Sequence, residues 1–173
     1  MTKKNLETLV AALKFEEDER VFFLTASEKT KEMYGKSTFL SLADAEPDHI
    51  ERIKTIYESL SKTGEWPDTP SLFCPACSVE ELFEEAMSKI DQNVKPTTGE
   101  LEALKLGIQI EEKGVKLYTD MSNDASHPLE KKFYTQLAIE ERGHMLLLKD
   151  VEAYYDDPVH WFSSKERSHW DGQ

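Results

Sequence analysis

Two stretches of the chain share an arrangement of residues able to grip a metal ion: LADAEPDH, from Leu42 to His49, and LAIEERGH, from Leu137 to His144. In each, a carboxylate stands three residues before an imidazole. A helix turns about 100° per residue, so positions three apart share a face one turn along the axis. Glu46 with His49, and Glu141 with His144, can therefore each aim two donors at one point. The spacing alone decides little, because every histidine in the chain has an acid three residues before it. The other pairs are Asp124 and His127, Asp157 and His160, and Glu166 and His169, in a chain with 34 acidic residues among 173.

A shift of 95 positions, the spacing from His49 to His144, separates two of the pairs from the other three. It lays Leu42-Ala43 on Leu137-Ala138, Glu46 on Glu141, Glu16-Glu17 on Glu111-Glu112, Phe23 on Tyr118 and Phe39 on Tyr134. The remaining histidines meet no histidine in this register, and identity elsewhere is low. The match concentrates on chemically able residues. Four carboxylates, Glu16, Glu46, Glu111 and Glu141, and two imidazoles, His49 and His144, then form one set drawn from both halves. Carboxylates about 4 Å apart repel by roughly 4 kcal/mol per pair at an effective dielectric of 20, and burial adds desolvation. Two divalent cations would cancel the four charges. Such mixed donors suit iron or manganese, with zinc admissible on affinity. A thiolate-rich zinc site is excluded for this set, which contains no cysteine.

The elements that must position these donors show helical period. The first helix is expected over residues 6–30, with Leu6, Leu9, Val10, Leu13, Val21 and Leu24 on its buried side. The second is expected over 36–61. The third begins near Thr97, where Thr97-x-x-Glu100 reads as a capping box, and ends near Ser122. The fourth begins at Ser126-His127-Pro128, with proline in the tolerated first turn, and stops before Asp156. Short links join the first to the second and the third to the fourth, which makes them antiparallel neighbours. The link over 62–96 is long. It holds Trp66-Pro67, Pro70, Cys74-Pro75-Ala76-Cys77 and a short helix that starts at Ser78, capped through Glu81. Two antiparallel hairpins joined by one long crossover give an all-α, ferritin-like four-helix bundle. The expected organisation is a bundle over 1–157 and a tail over 158–173, aromatic and charged without clear period, packing over the outside or across a subunit contact.

Composition narrows the classes. The length suits one domain with a real core. A formal net charge of −13 argues against nucleic acid or an anionic membrane as partner. No apolar run approaches the roughly 18 residues of a membrane span. The start turns acidic too early for a secretory signal, and two cysteines make no disulfide framework. A soluble, cytoplasmic protein is expected.

With FEEDERVFF (Phe15 to Phe23), LADAEPDH, IEEKGVKLY (Ile110 to Tyr118) and LAIEERGH in hand, the chain resembles the rubrerythrin family of ferritin-like di-iron proteins over about residues 6–155. That family's ligand glutamate lies seven residues before an aromatic, which selects Glu16 and Glu111 over their neighbours. The resemblance implies two iron ions, bridged by Glu46 and Glu141. Glu16 and Glu111 would be terminal carboxylates, and His49 and His144 terminal imidazoles. It also suggests Glu19 as an extra carboxylate that trades places with a histidine as oxidation state changes, against the plainer reading of a solvated glutamate. Gly114 stands at its place in the other half. Three departures stand out. The family's rubredoxin module, with two Cys-x-x-Cys pairs, has no counterpart. The first-helix tyrosine is Phe23, so a second-layer phenol comes only from Tyr118. Pro47 falls within the turn from Glu46 to His49, where a kink or bulge is expected to threaten Glu46. Cys74 and Cys77 keep three readings: a redox dithiol, half of a four-thiolate metal site shared by two chains, or ordinary loop thiols.

The implied function is a non-haem di-iron oxidoreductase, detoxifying hydrogen peroxide or reducing dioxygen. Electrons would come from a separate donor such as a rubredoxin-like carrier, and the resemblance suggests a homodimer. A ferroxidase handling iron for storage and a non-catalytic, metal-stabilised bundle are the rivals.

Overall fold

A computed structural model describes residues 3–73 and 96–170. Among the described residues there are five helices, α1 (Lys3–Lys29), α2 (Met33–Thr63), α3 (Thr98–Asp124), α4 (Pro128–Asp156) and α5 (Pro158–Trp170), with one 3-10 turn at Pro70–Phe73. Among the described residues there is no strand. α1 pairs with α2 and α3 with α4 through three-residue links, and the two hairpins meet along α2 with α4 and α1 with α3. This is the expected pair of hairpins, with the crossover between them. The Cys74–Cys77 pair and the helix expected from Ser78 lie outside the described residues.

Local signals explain the helix ends. Thr97 caps α3 by accepting from the backbone N–H of Glu100, while Glu100 returns a bond to the N–H of Thr97 at 2.6 Å. The same Glu100 carboxylate accepts from the backbone N–H groups of Lys31 and Glu32, so a cap for α3 also ties down the α1–α2 link. Gly64 ends α2 at φ 76°, a left-handed conformation that suits glycine. α4 opens with Pro128 just inside its first turn and His127 as its cap.

The buried stripe of α1 runs Leu9, Ala12, Glu16, Glu19, Phe23 and Ala26. Val10 and Val21, expected on that side, are 51% and 62% exposed. The helical period is present, but two glutamates and two alanines occupy positions where apolar counting looks for large side chains. Two apolar clusters fill the ends of the bundle. One gathers Phe23, Phe39, Leu147 and Trp161, and the other gathers Leu9, Ile53, Tyr118, Tyr134 and Trp66. Between them lies a polar middle.

Two local features add to the sequence reading. α2 runs unbroken from Met33 to Thr63 across Pro47, whose ring is exposed, and Glu46 stays fully buried. The proline sits on the solvent side and does not displace its neighbour from the centre. The tail is helical. In α5, Trp161 is buried against Tyr34 and Tyr154, and its indole N–H bonds Asp150 at 3.1 Å, so one aromatic side chain anchors a segment that shows no period in sequence.

Candidate metal centre

Each of the four bundle helices sends side chains into the polar middle. α1 contributes Glu16 and Glu19, α2 contributes Glu46 and His49, α3 contributes Glu111, and α4 contributes Glu141 and His144. Glu16, Glu46, Glu111 and Glu141 are fully buried, and both imidazoles are 3% exposed. Two overlapping groups emerge, Glu16, Glu46, His49 and Glu141, and Glu46, Glu111, Glu141 and His144, with donor atoms within 4.8 Å of one another in each.

Glu46 and Glu141 belong to both groups, and their atoms show how. Glu46 turns Oε2 toward His49 Nδ1 at 3.2 Å and Oε1 toward His144 Nδ1 at 3.7 Å. Glu141 turns Oε1 toward His49 Nδ1 at 3.1 Å and Oε2 toward His144 Nδ1 at 3.5 Å. Each carboxylate thus spans the gap between the two imidazoles, whose rings stack at 5.5 Å. Glu16 closes the first group at 2.9 Å from His49 Nδ1, and Glu111 closes the second at 3.7 Å from His144 Nδ1.

Buried polar atoms in proteins almost always find partners. Both carboxylate oxygens of Glu19, Glu46, Glu111 and Glu141, and Nδ1 of His144, have no hydrogen-bond partner among the described residues. Burial pushes the carboxyl groups of Glu46, Glu111 and Glu19 well above their ordinary range, and neighbouring carboxylates push the last two further. Burial opposes charge on His49, yet Glu16, Glu141 and Glu46 hold its imidazole protonated well above the usual range. Glu141 also meets the cost of burial, but the two histidines draw it down. Protons therefore neutralise the cluster where no cation does. A set of orphaned carboxylate oxygens converging on two points fits a pair of divalent cations.

The halves differ around this shared plan. Tyr118 donates a short hydrogen bond to Glu16, while Phe23, its counterpart, is a buried phenyl without a hydroxyl to offer Glu111. Glu140 contacts His49 Nε2 at 3.0 Å. Arg52 makes a two-pronged ion pair with Glu140, Gln136 donates to it at 2.8 Å, and Asp48 lies 2.8 Å from Arg52 Nε. Burial works against a charge on Glu140, but the bonds from His49 and Arg52 hold its pKa at about 2. The register partners of Glu140 and Arg52 are Ala45 and Leu147, members of an apolar cluster. Glu19 is also one-sided. It is 1% exposed, not solvated, and a Cβ at its counterpart Gly114 would come within 3.1 Å of the Phe15 ring and 3.3 Å of Glu141 Cγ. The sequence reading missed Glu140, Arg52 and Gln136. The available signal was Arg52 lying three residues after His49, on one helical face with it.

A family model described as Rubrerythrin matches residues 7–92, which carry Glu16, Glu19, Glu46 and His49. The donors of the second half lie beyond that span and are tied to it by the internal repeat. No curated protein and no solved structure matches the chain.

Proposed function

Because the chain belongs to the rubrerythrin family, we propose that the central cluster holds two iron ions and reduces hydrogen peroxide, or dioxygen, with electrons from an outside donor. The observation that carries this reading is the pair of spanning carboxylates: Glu46 and Glu141 each offer one oxygen to the His49 side and the other to the His144 side. Two ferrous ions in such an arrangement would supply the two electrons that cleave one O–O bond. Glu16 and Glu111 act as terminal carboxylates, and His49 and His144 as terminal imidazoles. The Tyr118 hydroxyl fixes the orientation of Glu16. Glu19 would be the carboxylate that changes partner with oxidation state, and its burial favours a held proton beside the cluster.

Anaerobic loading with Fe(II), followed by peroxide or air, tests the reaction. Oxidation by peroxide is expected to be the faster, and faster oxidation by air would refute the preference for peroxide. Fe(II) that neither binds nor oxidises would leave only a structural role for the cluster.

Glu140 sets the two metal positions apart. A carboxylate on the far nitrogen of a ligand imidazole fixes its orientation and raises its basicity, and losing it costs roughly 10–100-fold in affinity. Glu140→Gln removes the charge and keeps the shape. Cobalt(II) titration of that variant in a His144→Ala background, which leaves the His49 position, is expected to show a loss of this size. In a His49→Ala background the same change is expected to have little effect. Equal losses in both backgrounds would reduce Glu140 to a general packing role.

A further inference from the structure

We propose that Tyr118, Tyr134 and Trp66 form a one-electron conduit between the central cluster and a surface recess beside His127. The proposal rests on the metal-binding reading above for its inner end, and on ring geometry for the rest. Tyr118 and Tyr134 stack with centroids 6.3 Å apart and planes 13° apart. Tyr134 meets Trp66 edge-on at 6.2 Å. Trp66 stacks on exposed His127 at 6.3 Å. Electron tunnelling falls off exponentially with the gap between ring edges, so a line of touching rings carries charge where aliphatic packing of the same length does not.

The internal repeat supplies the argument that packing alone cannot account for these residues. Phe23 and Phe39 stand where Tyr118 and Tyr134 stand, and they stack at 6.2 Å with planes 26° apart. The same shape is thus built in the other half from rings that are far harder to oxidise. Tyr134 carries a buried hydroxyl with no hydrogen-bond partner among the described residues. A buried group left in that state costs about 1–3 kcal/mol, a cost that the phenyl of Phe39 avoids. Tyr118 has the opposite provision, since its hydroxyl already rests on Glu16.

At the outer end, a recess of about 530 Å³ is lined by Asn5, Glu65, Trp66, His127 and Glu130 among others. Small-molecule pockets span roughly 300–1,000 Å³, so a single-ring reductant fits. The two glutamates disfavour an anion, and a neutral hydroquinone, able to release two electrons, is the class of reductant proposed. The step balances as follows. Were the metal pair left oxidised by the reaction proposed above, two electrons would return to it one at a time, each passing along Trp66, Tyr134 and Tyr118. Each would leave a reductant in the recess as that molecule releases one proton to solvent, so one hydroquinone supplies both and departs as quinone, and each ring ends as it began.

The test uses protein loaded with redox-silent Zn(II), in which Trp161→Phe and Trp170→Phe leave Trp66 as the remaining indole of three. Azide radicals made by pulse radiolysis oxidise Trp66. The indolyl absorption is expected to decay as phenoxyl absorption grows, at a rate independent of protein concentration. Tyr134→Phe, which copies the packing of Phe39, is expected to slow that transfer by an order of magnitude or more. Transfer that is bimolecular, or indifferent to Tyr134→Phe, overturns the conduit. A second arm oxidises Fe(II)-loaded protein with one equivalent of peroxide and follows its re-reduction by added hydroquinone, which Tyr134→Phe is expected to slow. Iron that peroxide does not oxidise refutes the proposed reaction, and the zinc measurement still decides the conduit.

Discussion

Glu141→Ala is expected to empty both metal positions together, whereas Glu16→Ala and Glu111→Ala each empty one. Glu141 belongs to both donor groups, with Oε1 on the His49 side and Oε2 on the His144 side. Its removal takes a ligand from each position and a negative charge from the space between them. Two divalent cations a few Å apart repel more strongly than two carboxylates at the same distance, so the second ion depends on the charge that screens it from the first. Glu16 and Glu111 each belong to one group, and their loss leaves the other position with its donors complete. Metal analysis after exhaustive dialysis, with circular dichroism to confirm folding, distinguishes the outcomes. A Glu141→Ala protein that keeps one tightly held ion would show that Glu46 alone can bridge. A Glu111→Ala protein that loses both ions would show the positions to be too strongly coupled for this division.

The convergence of the six central residues was legible because the chain repeats itself. A single Glu-x-x-His is worthless in so acidic a sequence, but a register that superposes Glu16, Glu46 and His49 on Glu111, Glu141 and His144 is a constraint on three positions at once. The hairpins were legible for a related reason, since apolar period and capping residues such as Thr97 act locally. What broke the symmetry was harder to see. Glu140 and Arg52 have no repeat partners of their own kind, and each sits in a run of charged residues that resembles a solvated face. Their burial follows from α2 meeting α4, a tertiary fact. Glu19 was singled out by the resemblance, though its acidic neighbours made a solvated face the plainer reading. The misplacement of Val10 and Val21 has the same origin, because a stripe that buries Glu16 and Glu19 has fewer apolar markers to align. The pairing of Trp66 with Trp161 in the repeat register was open to inspection, but only ring contacts show that Trp66 adjoins Tyr134, which in turn stacks on Tyr118.

The metal-free and metal-loaded proteins are expected to respond to pH in opposite directions. Without metal, Glu19, Glu46 and Glu111 hold protons in the folded state that they would lose on unfolding, because burial raises their pKa well above the ordinary carboxyl value. The stability such groups lend is complete below that ordinary value and drains away as pH rises through the raised one. His49, raised above its own ordinary value by surrounding carboxylates, has the same sign. Glu141 has the other, since its lowered pKa matters only in acid, below the usual carboxyl range. From about pH 5 upward the metal-free protein should therefore lose stability with rising pH. Metal reverses this, because ligands bind as carboxylate and neutral imidazole and protons compete for them. Free ion at about 1,000 times its dissociation constant would add roughly 4 kcal/mol, and more of this is realised as pH rises. Thermal unfolding across a pH series, in chelator and in Zn(II), should give two curves that diverge toward alkali. Curves that run parallel, or a metal-free protein that gains stability from pH 5 to 8, would mean that the buried carboxyl groups do not share protons as the geometry requires.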